Sequence, residues 1–218
     1  VSVHRYPFPN NAERTPASIA DLRANAPAWD DVAARLRATV LEMTGRDIPI
    51  AFTEVNSHWS RAAGGEATPD SFYNAIWWGD VLGRLMRQRV EMVNQFLLVS
   101  GSESGFGMLG RYEARPTYFT YQMYKRFGDE LVAADSGIAG VSVYAALRDD
   151  GALTVMAVNL TDQAVTAPLE LRNFDATEPA AVWLFDAEHA AVEAGTLALA
   201  AETSVTLPAQ SMTLYAVR

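Results

Sequence analysis

The chain has 218 residues, of which 50% are hydrophobic and 20% charged, and its formal net charge at pH 7 is −9. The basic residues are scattered, and an acidic protein without a basic stripe repels phosphate backbones. No apolar run approaches the roughly 18 residues that a membrane-spanning helix needs. Composition and charge therefore predict neither a nucleic-acid nor a membrane partner, and they are compatible with a neutral substrate such as a sugar.

Cysteine is absent from the chain, which excludes a disulfide scaffold and a thiolate metal site. Its absence leaves the compartment open and is compatible with secretion, which we expect. The first residues, Val1-Ser2-Val3-His4, contain neither an initiator methionine nor a signal-peptide pattern, and they are typical of a strand interior. We therefore expect a fragment that starts within a domain.

Short apolar runs alternate with helical segments over the first 136 residues. Strands are predicted in residues 1–6, 48–53 and 90–99, and helices in residues 30–44, 69–89 and 115–132. Thr68-Pro69-Asp70 predicts the start of the second helix, with Thr68 as the N-cap and Pro69 at the first helical position. This repeated order of strand, loop and helix is typical of parallel strands joined by crossover helices. A closed (β/α)₈ barrel needs about 250 residues. The sequence thus predicts the C-terminal part of such a barrel, about three β/α units, with the N-terminal part missing.

The pattern changes after Asp135-Ser136-Gly137 to short apolar runs separated by turn residues. Asp149-Asp150-Gly151 is a hairpin signal of the Asp-Gly type. Residues 153–160 alternate in the manner of a strand. We therefore predict an α/β region over residues 1–136, the partial barrel, followed by an all-β region over residues 137–218, an antiparallel β-sandwich.

One carboxylate, that of Glu54, directly follows a predicted buried strand, where an ionised group is costly unless it is hydrogen-bonded or functional. Such a residue could also be structural, paired with an arginine or capping the next helix. Its neighbours favour a sugar site, because they are polar or aromatic. They are Asn56, His58 and Trp59 after the same strand, and His4 and Tyr6 on the preceding one.

Four segments carry a resemblance to a known group. Thr53-Glu54-Val55-Asn56 resembles the T-E-x-N segment on the seventh strand of clan A glycoside hydrolases, which bears the nucleophilic glutamate. His4-Arg5-Tyr6-Pro7 resembles the end of the sixth strand in that clan, whose tyrosine or histidine hydrogen-bonds the nucleophile. Residues 153–160 and 207–214 resemble the β-sandwich of the α-L-arabinofuranosidase and β-xylosidase branches.

The resemblance implies a retaining glycoside hydrolase that acts on plant-type oligo- or polysaccharide without a cofactor. Glu54 would be the nucleophile, and Tyr6 and His4 would orient it. The side chains implied to contact the sugar are His4, Tyr6, Asn56, His58 and Trp59. In this clan the acid/base follows an asparagine on the fourth strand, but no Asn-Glu pair occurs here. Glu103 is a poor substitute, so we expect the acid/base to lie in the missing part.

The sequence leaves other interpretations open. A non-catalytic carbohydrate-binding or structural module derived from such an enzyme would show the same segments. His4, His58 and Glu54 could form a His₂Glu metal set, although substrate hydrogen bonding is the preferred role. Residues 105–110 match G-x-G-x-x-G, but Arg115-Pro116 delays the helix that a dinucleotide site requires. We interpret them as an active-site loop with mobile glycines.

Overall fold

A computed structural model describes residues 1–8, 17–200 and 203–218. They form two compact units, Val1–Tyr118 and Phe119–Arg218. This division lies earlier in the chain than the predicted domain boundary at residues 136 and 137, which stays a prediction. Among the described residues, none of the helices combines the length and apolar character that crossing a membrane requires.

The first unit contains a three-stranded parallel sheet in the order β1-β2-β3. Its strands are β1 (Ser2–Arg5), β2 (Ala51–Val55) and β3 (Met92–Gln95). Each predicted strand is present, and the parallel order follows from the helices that separate the strands along the chain.

The helices are α1 (Ile19–Asn25), α2 (Ala28–Thr44), α3 (Phe72–Arg87) and α4 (Pro116–Tyr124). The short helix α1 was not predicted; its signal is Ser18, which forms a capping box with Asp21. The predicted start of α3 at Thr68-Pro69-Asp70 is wrong, because Ser71 is the N-cap. The Thr68 hydroxyl instead accepts a hydrogen bond from the backbone N–H of Gly65, and the Asp70 carboxylate accepts one from that of Gly64.

The last predicted helix is also shorter than expected. Residues 130–132 form strand β4 (Glu130–Val132), which pairs with β5. Gly128 precedes β4, and a Cβ atom on this residue would collide with the backbone of Leu147. α4 thus ends at Tyr124, and the close approach of Gly128 to Leu147 lies directly before the pairing of β4 with β5.

The core of the first unit is aromatic. Trp29 of α2 has no exposed surface, and its ring centroid lies 5.8 Å from that of Phe52, 6.1 Å from that of Trp77 and 5.9 Å from that of Trp78. Ring pairs at these separations add to the stabilisation that comes from burial. The two longest helices are thereby packed against the strand that carries Glu54.

The second unit consists of antiparallel strands. They are β5 (Val141–Leu147), β6 (Leu153–Asn159), β7 (Val165–Leu169), β8 (Ala180–Phe185), β9 (Val192–Leu197), β10 (Thr203–Leu207) and β11 (Ser211–Val217). A six-stranded sheet has the order β4-β5-β6-β11-β8-β9, and β7 pairs with β10. The predicted Asp-Gly hairpin connects β5 and β6, and one hydrophobic core takes residues from both sheets.

Replacing Phe52 by alanine tests the aromatic core. Phe52 has no exposed surface, so we expect Phe52→Ala to lower the free energy of unfolding by about 3–5 kcal/mol. Urea unfolding followed by tryptophan fluorescence measures it, because four of the five tryptophans lie in the first unit. The control is Met43→Ala on α2, where the side chain is 80% exposed and the expected change is within about 0.5 kcal/mol. Equal losses in both variants would contradict this account of the core.

Candidate active site

Glu54 lies near the carboxyl end of β2, beside two side chains from β1 and the residues that follow it. The Tyr6 hydroxyl donates a hydrogen bond of 2.6 Å to Oε1 of Glu54, and His4 Nδ1 lies 2.8 Å from Oε2. Each carboxylate oxygen therefore has its own partner. These partners are not an arginine, nor does the carboxylate cap a helix, so the structural alternatives raised by the sequence do not describe this contact.

An irregular register brings these groups together. Val3 pairs with Phe52, but the next residue, His4, pairs with Glu54. A regular strand would place Phe52 and Glu54 on the same face, whereas the extra residue at Thr53 breaks this alternation. Phe52 can therefore pack on Trp29 while the Glu54 side chain, 30% exposed, remains open to a ligand.

The hydroxyl of Tyr6 stays protonated in this environment. Burial, together with the hydrogen bond to Glu54 and the charge of its carboxylate, raises the pKa of Tyr6 well above its ordinary value of 10.0. The Tyr6 ring also makes an edge contact with Phe96 at 6.4 Å between centroids. Tyr6 is consequently a fixed donor to Glu54 throughout the neutral pH range.

Asn56 is 1% exposed and its amide is engaged with the backbone. Nδ2 donates to the carbonyl of Phe96 at 2.5 Å and to that of Phe106 at 3.3 Å, and Oδ1 accepts from the backbone N–H of Ser57 at 2.7 Å. These contacts join the end of β2 to the segment that follows β3. The sugar contact predicted for Asn56 stays a prediction.

His58 is also 1% exposed. Its Nδ1 lies 3.0 Å from the Ser57 hydroxyl, and its ring centroid lies 5.8 Å from that of Phe8. Burial lowers the pKa of His58 from 6.5 to about 4. The imidazole is therefore neutral at neutral pH and offers one donor and one acceptor.

Trp59 differs from its neighbours because its side chain is 56% exposed. Its backbone N–H donates to the carbonyl of Phe8 at 3.1 Å. An exposed aromatic ring on an anchored backbone is suited to stacking against the apolar face of a sugar.

The predicted site residues thus fall into two groups. His4, Tyr6 and Glu54 are in direct contact, whereas Asn56, His58 and Trp59 continue the chain beyond β2. Sequence reasoning missed Phe96, whose peptide bond to Leu97 is cis. The signal that could have identified Phe96 is its position as the first residue after β3.

Metal ligation has no support from the described part of the chain. In residues 1–8, 17–200 and 203–218, no three histidine, aspartate or glutamate side chains are grouped so that they could hold an ion. His4 contacts Glu54, whereas His58 contacts Ser57 and Phe8. Glu103, the substitute acid/base weighed from the sequence, is exposed in the segment after β3.

The chain is similar to solved structures of glycoside hydrolases. CelM2, a bifunctional glucanase-xylanase from a metagenome library, is 26% identical with a TM-score of 0.72, over 99% of this chain and 43% of that chain. A family 44 xyloglucanase from Paenibacillus polymyxa is 20% identical with a TM-score of 0.75, over 99% of this chain and 46% of that chain. A GH51 α-L-arabinofuranosidase from Thermotoga petrophila is 16% identical with a TM-score of 0.74, over 93% and 50%.

These similarities confirm the predicted resemblance to clan A glycoside hydrolases. The chain spans at most about half the length of the three proteins compared above. No protein-family model and no curated protein sequence matches it. The shared feature is therefore the fold.

The buried imidazole of His58 predicts a pH dependence of stability. Its pKa in the folded chain, about 4, lies below its ordinary value of 6.5, so the neutral ring favours folding. This contribution is present above pH 6.5 and is lost as the pH falls toward 4, by about 2–3 kcal/mol. We expect His58→Gln to remove this part of the acid sensitivity in urea unfolding between pH 7 and 4.

The matched control is His189→Gln in the second unit, where the histidine side chain is 39% exposed. It should leave the pH dependence of the first unit as it is in the wild type. An NMR titration that finds His58 half-protonated near pH 6.5 would contradict the prediction.

Proposed function

We propose that the chain forms the C-terminal part of a retaining glycoside hydrolase that acts on plant-type oligo- or polysaccharide. The first unit would be the end of a (β/α)₈ barrel and the second a β-sandwich. The parallel sheet with its crossover helices, the antiparallel sheets with a common core and the similarity to glucanase, xyloglucanase and arabinofuranosidase structures support this proposal.

The observation that carries the proposal is the pair of contacts on Glu54. Tyr6 donates to one oxygen at 2.6 Å and His4 lies 2.8 Å from the other. Such contacts hold a carboxylate in one orientation. An oriented and partly exposed carboxylate at a strand end is the group that attack on an anomeric carbon requires.

The proposed chemistry has two steps. A Glu54 oxygen bonds to the anomeric carbon while the glycosidic C–O bond breaks, and the leaving oxygen takes a proton from an acid. Water, deprotonated by the conjugate base of that acid, then displaces Glu54. Inversion at each step gives overall retention.

The second carboxyl group would lie about 5–5.5 Å from the nucleophile in a retaining enzyme. The sequence lacks the Asn-Glu pair that the resemblance implies for it. We include in the proposal that the acid/base, together with the remaining barrel strands, belongs to polypeptide outside these 218 residues.

The sugar-contacting residues are also part of the proposal. Trp59 is the stacking platform, because more than half of its side chain is exposed. His58 and Asn56 are almost fully enclosed, so a sugar would reach them at the rim of the site only through small displacements of their neighbours. His4, with a 57% exposed side chain, is open to a substrate hydroxyl.

A fluorosugar label tests Glu54 without requiring the acid/base. Dinitrophenyl 2-deoxy-2-fluoroglycosides carry a leaving group that departs without protonation, so the nucleophile alone forms the covalent adduct. We expect peptide mapping by mass spectrometry to place the arabinosyl, xylosyl or glucosyl label on Glu54. Glu54→Gln should carry no label. A label on another carboxylate would overturn the assignment.

The complete polypeptide that contains this chain provides the turnover test. Glu54→Ala should abolish hydrolysis of nitrophenyl glycosides, and added azide should restore turnover with a glycosyl azide of inverted configuration. A chelator should leave the wild-type rate unchanged. Sugar binding without turnover or labelling would instead indicate the non-catalytic carbohydrate-binding module.

Tyr6→Phe tests the orientation of the nucleophile. It removes one hydrogen bond to a charged group, worth about 1.5–3 kcal/mol, so we expect kcat to fall roughly 10–100-fold. Tyr215→Phe is the matched control, since Tyr215 is a buried phenol of the second unit and its loss should leave kcat within a factor of about two. Equal rates for wild type and Tyr6→Phe would remove Tyr6 from the mechanism.

A further inference from the structure

The segment between β3 and α4, residues 96–115, is called the β3–α4 loop here. Backbone hydrogen bonds join its first part, residues 97–100, to residues 108 and 109. Met108 donates to Leu97 at 3.0 Å, Leu109 to Leu98 at 2.9 Å, and Ser100 to Leu109 at 3.1 Å. The loop is therefore a folded element held by its own backbone hydrogen bonds. The mobility of its glycines, which the sequence predicts, stays a prediction.

Arg115 closes this element at its end. Its side chain is 8% exposed, and its guanidinium donates to Ser100 Oγ at 3.0 Å, to the Gly107 carbonyl at 3.3 Å and to the Gly101 carbonyl at 3.0 Å. Its backbone N–H donates to Met108 at 2.9 Å. A planar guanidinium that donates both to residues 100 and 101 and to residue 107 fixes the relative positions of these two parts of the loop.

The partners of this buried cation are neutral oxygens in all of its described contacts. A buried charge without a counter-ion is costly, and it is retained where its hydrogen bonds are all satisfied. Hydrogen bonds to charged groups contribute more than neutral ones. The hydrogen bonds of Arg115 thus hold the β3–α4 loop in one conformation.

The β3–α4 loop contacts the chain that follows β2 at two places, Asn56 and Ala62. The carbonyls of Phe96 and Phe106 accept hydrogen bonds from the Asn56 amide at 2.5 and 3.3 Å. Gly105, with φ of +71°, packs so closely on Ala62 that a Cβ atom would collide with the Ala62 carbonyl. The position of the chain just beyond Glu54 therefore depends on where the loop places these carbonyls.

We propose that Arg115 is a positioning residue for Glu54. By holding the β3–α4 loop, it keeps the Phe96 and Phe106 carbonyls on the Asn56 amide and so fixes the strand end that carries the carboxylate. This inference rests on the proposed function for its effect on turnover. Its structural part, the coupling of Arg115 to residues 54–58, is measurable without any substrate.

The test compares Arg115→Met and Arg115→Lys with Arg37→Met. Arg37 also donates to two backbone carbonyls, those of Gln88 at 2.7 Å and Arg89 at 3.0 Å. Those carbonyls lie in the connection that enters β3, at the opposite end of the strand from the β3–α4 loop. Arg37→Met therefore also removes guanidinium hydrogen bonds to backbone carbonyls, but these carbonyls do not contact the strand end that carries Glu54.

Hydrogen exchange on the 218-residue chain is the first measurement. In Arg115→Met we expect exchange at least about 10-fold faster in peptides covering residues 96–110 and also 54–58. Exchange in Arg115→Lys should be intermediate between wild type and Arg115→Met, because lysine keeps the positive charge but lacks the planar guanidinium that donates to several acceptors. Arg37→Met should speed exchange near residues 88–91 and near its other partner, Asp47, and should leave residues 54–58 unchanged. Faster exchange confined to residues 96–110 in Arg115→Met would overturn the proposal.

Kinetics of the complete polypeptide is the second measurement. Misplacement of the nucleophile lowers kcat by at least about 10-fold and changes KM by less than about 3-fold. The kcat of Arg115→Lys should lie between those of wild type and Arg115→Met. Arg37→Met should keep the wild-type kcat even if it lowers the free energy of unfolding as much as Arg115→Met does. Equal losses of kcat in the Met variants would overturn the proposal. A wild type without turnover would refute the proposed function, and the exchange measurement would still decide the coupling.

Discussion

The site depends on one electrostatic constraint, a carboxylate near the end of a buried parallel strand. A carboxylate there loses hydration free energy, and hydrogen bonds within the protein must compensate for that loss. Tyr6 and His4 supply these contacts, one to each oxygen of Glu54. Because both come from the neighbouring strand and its continuation, the register of β1 on β2 determines whether the carboxylate is oriented at all.

The packing of the first unit maintains that register. Phe52, two residues before Glu54, is enclosed by Trp29 and by the aromatic cluster of α2 and α3. Close-packed interiors resist small displacements because each shift opens a void or creates an overlap. The helices thus hold the buried side of β2 in place, while the break at Thr53 directs Glu54 away from the core.

The residues beyond β2 show how polar groups are satisfied around such a site. Asn56 is enclosed and makes its hydrogen bonds to backbone atoms of two other segments, and His58 is enclosed beside Ser57 and Phe8. The ring of Trp59 is more than half exposed. Asn56 and His58 therefore find their contacts within the protein, whereas Trp59 remains exposed to solvent.

The sequence by itself determined the local features. Apolar runs and helical periodicity located the three parallel strands, the Asp-Gly pair located a hairpin, and the position of Glu54 after an apolar run identified the candidate nucleophile. These features follow from interactions between residues near one another in the chain. Local patterns were weaker at boundaries, as the late start of α3 and the early end of α4 show.

Only the tertiary structure decided what Glu54 and Asn56 contact. The partners of Glu54, Tyr6 and His4, are 48 and 50 residues away, and those of Asn56 are 40 and 50 residues away. The tertiary structure also determined the place of β11 between β6 and β8, and the acceptors that the Arg115 guanidinium contacts in the β3–α4 loop. Such contacts depend on strand register and close packing between distant segments, and no local pattern of residues encodes either.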